Sequence, residues 1–314
     1  MSKAREFKNY REVVVGAVSE LAREHEDIVF LDSDLSSCIT STSFEKEFPD
    51  RFINCGIAEA NMAAVAAGMS AAGLTPFIHS FGCFASRRMY DQVFLSIGYA
   101  KRCVHIIGSD PGITAQYNGG THMPFEDIAL YRQIPDFIVI EPSDGESLYE
   151  LTKQVYAAKK NSYIRTPRKG VAFRYDEGTK FEIGKGIELK DGKDVAIIAT
   201  GAVMVDNAME AYEILKKDGI NATVVDLHTI KPLDAELILK VARRTGHVIV
   251  CENGRYAGGV GEGIAAFLAK NCPVKMDFMC VWERFGEVGN LSYLKEAFGF
   301  TGSHLASMCK EIIK

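Results

Sequence analysis

A single carboxylate stands at the start of an alanine-rich stretch. Gly56 to Met62 reads "GIAEANM", and small or apolar residues continue almost unbroken to Leu74. This pattern predicts a buried helix over 58–72, with Glu59 at its beginning. A buried carboxylate is costly unless it is paired or its proton is used in a reaction. Glu59 is therefore a candidate for general acid–base chemistry.

Polar side chains follow several predicted strands at the points where those strands end. In open parallel sheets this edge is where ligands bind. Six such residues lie in the first half of the chain: Asp32, Asp34, Glu59, His79, Asp110 and His122. Their convergence predicts a pocket, although His79 can equally be a satisfied core histidine. The adjoining loop 108–124 is long, polar and glycine-rich, as functional loops often are.

Two phenylalanines, Phe81 and Phe84, follow a strand in "HSFGCFASRRMYDQ" (79–92). They are either a pair of core aromatics or a stacking surface for a flat ring. Arg87 and Arg88 come next, which places the segment at a boundary between core and solvent. Both interpretations stay open at this point.

The glycine-rich run "GGVGEG" (258–263) lies between a strand and a helix, as a phosphate-binding loop would. Glu262, however, puts a negative charge where a phosphate would bind, and no ribose-binding acid follows in a clear βαβ unit. Tight packing of the helix start against the sheet is the preferred interpretation.

Short apolar runs alternate with helical patterns, which predicts an α/β fold. The strands lack polar alternation, as in parallel sheets covered on both faces. The predicted strands are 28–32, 52–56, 76–80, 103–108, 137–142, 194–200, 222–227, 247–253 and 274–281. The predicted helices are 10–24, 58–72, 143–158, 203–217, 234–244, 259–270 and 303–313.

The length of 314 residues indicates two domains. We predict two consecutive three-layer α/β domains with mostly parallel sheets, over 1–165 and 193–314. Between them, 166–192 is rich in glycine, proline and charge around a strand-like piece at 181–183, and is predicted to be a linker.

The composition is that of a soluble globular protein, and it excludes several classes of partner. A net charge of −5 without a long basic block speaks against nucleic acid and anionic membranes. The N-terminus lacks the apolar core of a signal peptide, and no apolar run is long enough to span a membrane. Eight cysteines without a C-x-x-C motif indicate reduced thiols in a cytoplasmic protein, with no metal site.

Five motifs together resemble one family. They are "DSDL" (32–35), "FINCGIAEANM" (52–62), "HSFGCFASRRMYDQ" (79–92), "GGTHMPFEDIALYRQIP" (119–135) and "DLHTIKPLD" (226–234). Over essentially its whole length the chain resembles the C-terminal portion of transketolase, and specifically the small subunit of split, two-chain transketolases. The first half resembles the pyrimidine-binding domain of thiamine diphosphate enzymes, and the second half resembles the transketolase C-terminal domain.

The resemblance implies a role for Glu59. In this family the Glu of "G-[IV]-x-E" contacts N1′ of the cofactor's aminopyrimidine and favours its imino form, whose nitrogen removes the thiazolium C2 proton. A low-dielectric site would keep Glu59 partly protonated, as this relay requires. By the same resemblance Phe84 stacks on the aminopyrimidine with Phe81 beside it, and His122 contacts the substrate near its reacting hydroxyls.

The remaining implied contacts are with the sugar. Arg11, Asp34 and Arg168 match positions that hold or flank a sugar phosphate, and the two guanidinium groups suit an anion chemically. Asp110 and Asn118 are expected to orient sugar hydroxyls together with the histidine.

Four positions depart from the family pattern. Asn118 replaces an Asp that reads a sugar hydroxyl, and Asp110 stands where a His is usual, as in the related deoxyxylulose-phosphate synthases. Cys38 replaces a Ser that touches phosphate, and Arg87 replaces a small or aromatic residue. The reaction type is expected to survive, whereas the substrate pair stays open to a variant ketose or a different anion.

The "G-D-G" with which thiamine diphosphate enzymes bind Mg²⁺ is absent, and "KDG" occurs twice in turns. The resemblance therefore implies that an N-terminal, diphosphate-binding transketolase subunit supplies the Mg²⁺ ligands, in a heterotetramer of two plus two. The expected function is transfer of a two-carbon ketol unit from an anionic ketose to an aldose. Alternatives are a 2-oxoacid dehydrogenase beta subunit, a deoxyxylulose-phosphate-synthase-like enzyme and a non-catalytic regulatory subunit.

Overall fold

The computed structural model describes residues 3–314 and contains twelve strands within that range. In chain order they are β1 (Ile28–Asp32), β2 (Phe52–Asn54), β3 (Thr75–Phe81), β4 (His105–Ser109), β5 (Ile138–Ile140), β6 (Ser162–Thr166), β7 (Ile187–Lys190), β8 (Val195–Ala199), β9 (Ala222–Asp226), β10 (Thr229–Lys231), β11 (His247–Arg255) and β12 (Lys275–Val281). They form a seven-stranded sheet of order β10-β5-β6-β4-β3-β1-β2 and a five-stranded sheet of order β12-β11-β8-β9-β7.

Helices cover these sheets. They are α1 (Tyr10–Glu24), α2 (Ser36–Ile39), α3 (Thr42–Glu47), α4 (Glu59–Ala71), α5 (Tyr90–Gln92), α6 (Asp127–Gln133), α7 (Gly145–Ala157), α8 (Gly201–Lys217), α9 (Ala235–Thr245), α10 (Val260–Asn271), α11 (Leu291–Ala297) and α12 (Gly302–Ile312). Short 3₁₀ segments lie at Lys3–Glu6, Pro49–Arg51 and Gly112–Asn118, and π-helical segments at Phe84–Arg88 and Val93–Tyr99.

The prediction of α/β domains with mostly parallel sheets is confirmed. Every residue of β1, β4, β6, β8 and β9 is buried, as expected for strands covered on both faces. Among the described strands only the edge pairs β10–β5 and β7–β9 are antiparallel. The nine predicted strands and seven predicted helices all exist, with ends shifted by a few residues.

The structure adds elements that the apolar pattern does not predict: α11, β6, β7 and β10, among others. β10 belongs to the second half of the chain but pairs with β5 in the first sheet. The two halves are therefore joined by a shared sheet edge as well as by side chains.

The predicted linker 166–192 contributes to the second sheet. Its strand-like piece 181–183 is not a strand, whereas β7 forms a few residues later and pairs with β9. Phe181 is buried against Tyr175, with the two rings edge to face at 5.0 Å. The domain boundaries themselves stay a prediction.

No helix among residues 3–314 combines the length and the apolar character needed to cross a bilayer.

Candidate functional site

Three neighbouring strands, β1, β3 and β4, bring polar residues to one edge of the first sheet. His79 of β3 bonds Asp32 through Nδ1 at 2.9 Å and Ser109 through Nε2 at 3.0 Å, and all three side chains are buried. His79 is thus a satisfied core histidine, one of the two possibilities the sequence leaves open. This hydrogen-bonded row fixes the carboxyl ends of the three strands relative to one another.

Glu59 is the first residue of α4 and is 2% exposed. Both of its carboxylate oxygens accept a hydrogen bond from Nη1 of Arg88 at 2.9 Å. The Arg88 guanidinium also lies over the ring of Phe84, with Cζ 4.1 Å from the ring centre. The structure therefore pairs this carboxylate with a cation, where the sequence predicts low-dielectric surroundings alone.

An aromatic cluster continues from this pair. The His122 ring meets the Phe84 ring edge-on at 5.1 Å and the Phe81 ring at 5.9 Å. Burial lowers the pKa of His122, and the nearby charges of Arg87 and Arg88 lower it further. The imidazole is therefore neutral near pH 7 and can both donate and accept a hydrogen bond.

Beyond the aromatic cluster lies a second ion pair. Nε of Arg168 is 2.5 Å from Oδ2 of Asp110, and the Arg168 guanidinium lies 4.8 Å from the centre of the Phe81 ring. Burial raises the pKa of Asp110, and the charge of Arg168 opposes that rise. Side-chain contacts thus run without a break from Glu59 through Arg88, the aromatic cluster and Arg168 to Asp110.

A cavity of about 170 Å³ opens beside this second ion pair, between the two domains. Asp110 and Arg168 line it together with Asn118 and Lys169. Asp206 of α8 belongs to its wall on the side of the second domain. The three predicted sugar contacts Asp110, Asn118 and Arg168 therefore share one cavity.

Arg11 lies in the first turn of α1, next to this cavity. Its Nη1 donates to the Cys38 carbonyl at 3.1 Å, and its backbone N–H donates to the Arg168 carbonyl at 3.1 Å. Nε of Arg11 is buried without a hydrogen-bond partner among the described residues. A buried donor in that condition is suited to an anionic ligand, because such groups are normally satisfied.

Asp34 differs from the other predicted site residues. It is exposed, and its carboxylate accepts a hydrogen bond from Asn54 at 3.1 Å. Asp34 and Asp110 do share a left-handed backbone, with φ of 63° and 59°. Aspartate tolerates this conformation better than most residues, and such strain concentrates at functional sites.

Arg88 is the residue that sequence reasoning missed. It ends the π-helical segment Phe84–Arg88, and π-helical turns are frequent at functional sites. Its neighbour Arg87 is held elsewhere, with Nη2 donating to the Thr121 carbonyl at 3.1 Å and Nε 3.1 Å from Glu126. The available signal was the pair of arginines three and four residues after Phe84.

The glycine-rich run 258–263 is used for packing. At the start of α10 the buried Glu252 accepts hydrogen bonds from the N–H groups of Val260 and Gly261, each at 2.8 Å. Burial raises the pKa of Glu252 to about 7. A Cβ at Gly259 would collide with the Glu252 carboxyl group and the Arg255 carbonyl. An internal carboxyl group therefore takes the place that a phosphate would need.

Comparison with known proteins gives one consistent family. The model for the transketolase pyrimidine-binding domain matches residues 7–172, and that for the transketolase C-terminal domain matches residues 184–305. The 6-deoxy-6-sulfo-D-fructose transketolase subunit SqwH of Clostridium sp. (strain MSTE9) is 44% identical over 302 residues, which are 96% of this chain and 94% of that one. A putative transketolase C-terminal section of Methanocaldococcus jannaschii is 37% identical over 310 residues, covering 98% and 96%.

A solved structure is similar to this chain over almost its whole length. It is a split-gene transketolase described as an inactive β4 tetramer, with a TM-score of 0.89, 36% identity and 98% coverage of each chain.

Fold and site together define one chain of a multi-subunit transferase built from two α/β domains. This chain belongs to the transketolase family, and it is a ketol-transfer subunit of the split type. The predicted resemblance and enzyme class are confirmed. The family implies dependence on thiamine diphosphate.

Glu59 and Phe84 fit the aminopyrimidine of this cofactor. A flat amino-substituted heterocycle needs an aromatic face to stack on and a carboxyl group at its edge. In this chain both groups contact the same planar, hydrogen-bonding guanidinium of Arg88. The spacing between carboxylate and ring therefore accommodates a planar group.

Proposed function

We propose that this chain is the C-terminal subunit of a two-chain transketolase in which Glu59 contacts N1′ of the aminopyrimidine. When bound, the cofactor supplies the thiazolium carbon that carries a two-carbon ketol unit from a ketose to an aldose. The observation that carries the proposal is the unbroken row of contacts from Glu59 to Asp110. That row joins a carboxyl group suited to proton transfer with a guanidinium suited to an anion.

The side chains of this row other than Arg88 have distinct tasks. Glu59 holds or moves the proton at N1′, and Phe84 offers its face to the ring while Phe81 supports it from the side. His122, neutral and edge-on to both phenylalanines, exchanges hydrogen bonds with the sugar hydroxyls nearest the reacting carbons. Asn118 lies farther along, where it can orient the sugar's remaining hydroxyls.

Arg168 and Arg11 bind the terminal anion of the ketose, with Asp34 at the rim. The paired carboxylate of Asp110 reduces the positive charge that Arg168 presents, which favours a singly charged sulfonate over a doubly charged phosphate. The 44% identical relative is named for a 6-deoxy-6-sulfo-D-fructose substrate, and this supports the same preference here. We therefore place a sulfonated ketose first among the donors.

A second subunit completes the enzyme. We propose an N-terminal, diphosphate-binding subunit that supplies the Mg²⁺ ligands, in a heterotetramer of two plus two in the cytoplasm. Support comes from relatives named as transketolase subunits or sections that match this chain end to end. The exposed Ile57, two residues before Glu59, gives such a subunit an apolar contact beside the site.

The test is reconstitution. The chain is mixed with the N-terminal subunit, thiamine diphosphate and Mg²⁺, and ketose–aldose exchange is assayed with 6-deoxy-6-sulfofructose, fructose 6-phosphate and fructose as donors. We expect activity only in the mixture, with the sulfonated donor used best. Full activity of this chain alone would disprove the split arrangement, and equal use of all three donors would disprove the anion preference.

Replacing Arg168 by alanine should raise KM for an anionic donor by about tenfold to a hundredfold, the usual cost of a lost hydrogen bond to a charged group. The KM for fructose should change much less. Steady-state kinetics with matched donors measures the difference. The double variant Arg168→Ala/Asp110→Asn controls for the carboxylate left unpaired, and Arg51→Ala controls for loss of a remote arginine. Equal weakening of anionic and uncharged donors would show that Arg168 is not the anion holder.

A further inference from the structure

We propose that Arg88 competes with the cofactor's aminopyrimidine for Glu59 and Phe84, and that it must swing away before the ring can bind. The inference rests on the function proposed above, which gives Glu59 and Phe84 to the cofactor. It adds a displaceable side chain that belongs to neither the chemistry nor the sugar contacts.

The geometry of Arg88 matches what an aminopyrimidine would need. A guanidinium is planar, stacks on aromatic faces and donates hydrogen bonds in its own plane. Here it lies 4.1 Å above the centre of the Phe84 ring while Nη1 is 2.9 Å from each oxygen of Glu59. A flat ring stacked on Phe84 and bonded to Glu59 would overlap this guanidinium.

The pairing also explains how the carboxylate of Glu59 tolerates burial. With 2% of its side chain exposed, Glu59 needs a partner, because an unpaired buried charge is strongly destabilising. Arg88 supplies that partner from within the same domain. The same contact excludes the hydrogen bond to N1′ for as long as it lasts.

Arg88 is free to leave. Its side chain is 46% exposed, and its described contacts are those with Glu59 and Phe84, so a rotamer change carries the guanidinium into water. The π-helical turn places Phe84 and Arg88 on one face of the segment, four residues apart. Displacement therefore needs no movement of the backbone.

Arg87 is a matched control in the same turn. Its side chain is also 46% exposed, but it is tied to the Thr121 carbonyl and to Glu126 instead of to Glu59 and Phe84. Removing Arg87 takes away the same charge at nearly the same place without freeing Glu59 or the face of Phe84. Any effect special to Arg88 is therefore separable from a general effect of charge.

The experiment measures binding of thiamine diphosphate with Mg²⁺ to the reconstituted two-subunit complex by isothermal titration calorimetry. We expect Arg88→Ala to lower Kd about tenfold, because a half-exposed ion pair and a cation–π contact no longer have to be broken. Arg88→Lys keeps the charge but loses the stacking plane, and should lower Kd by a smaller factor. Arg87→Ala should leave Kd within about twofold of the wild type. Circular dichroism and subunit assembly check that each variant is folded.

The outcomes separate this inference from the proposed function. An unchanged or higher Kd in Arg88→Ala would overturn the proposed competition. If the alanine variant does not fold, an unchanged or higher Kd in Arg88→Lys would overturn it equally. Tighter binding in both Arg88→Ala and Arg87→Ala to the same degree would also overturn it, because that result reports charge alone. A wild-type complex that binds no thiamine diphosphate would overturn the proposed function itself.

Discussion

Replacing Glu59 by glutamine is expected to lower kcat of the reconstituted enzyme by about a hundredfold or more, the scale of a lost acid–base step. The change keeps the size of the side chain and an oxygen that can accept a hydrogen bond. It removes the group that can hold a proton at N1′. The measurement is the steady-state rate of ketose–aldose exchange with the cofactor at saturation.

Cofactor affinity and turnover should separate in this variant. Glutamine still fills the start of α4 and still leaves the Phe84 face available, so Kd for thiamine diphosphate should move by much less than kcat does. A residue with a merely structural role would instead weaken folding and binding together. Saturation with cofactor therefore isolates the proton step from occupancy.

Glu188→Gln is the matched control for this prediction. Glu188 of β7 is also a carboxylate paired with cations, namely Lys240 and Arg244, but it lies at a partly exposed site in the second sheet. Its replacement should leave exchange within about twofold of the wild type, since exposed or remote ion pairs contribute little. Turnover of Glu59→Gln within the same range would remove Glu59 from the mechanism.

The fold was predictable where apolar runs are long and unmixed. β1, β4, β8 and β9 consist of residues that are all buried, and each includes a short apolar run in the sequence. β6 is not predicted from apolar runs, because "SYIRT" contains an arginine and arginine is usually a surface residue. The burial of this arginine depends on two carboxylates that are distant in sequence.

β10 and β7 were not predictable for a different reason. Each is only three or four residues long, and each is an antiparallel edge strand whose partner strand is set by tertiary structure. β10 even joins the sheet of the other domain. Local periodicity carries no information on such pairing.

The candidate site, like the fold, could be predicted from the sequence only in part. Glu59, Phe84 and His122 were singled out by residue type and position, and the family resemblance supplied their roles. The structure brings them into contact through Arg88 and the aromatic cluster. Arg88 contacts both Glu59 and Phe84 but has no family role attached to it in the sequence. Only the geometry shows that one guanidinium touches both the carboxylate and the ring.

Replacing Arg165 by methionine is expected to destabilise the protein by about 3–5 kcal/mol, the cost of leaving buried carboxylates without their cation. Arg165 of β6 is fully buried, with Nε 2.8 Å from Asp127 and Nη1 paired with Glu141. Its Nη2 donates to the Asn253 carbonyl of β11 at 2.7 Å, across the contact between the two domains. Burial raises the pKa of Glu141, and Arg165 is the main charge that opposes this rise.

Urea unfolding of Arg165→Met measures the loss, and Arg244→Met is its control. Arg244 pairs with Glu188 at a partly exposed site, so its removal should cost about 1 kcal/mol or less. The triple variant Arg165→Met/Asp127→Asn/Glu141→Gln removes the stranded charges and should recover part of the stability. An Arg165→Met variant as stable as Arg244→Met would mean that water reaches Asp127 and Glu141 when the guanidinium is gone. A triple variant no more stable than the single one would place the loss in the Asn253 contact, and hence in the junction between the domains.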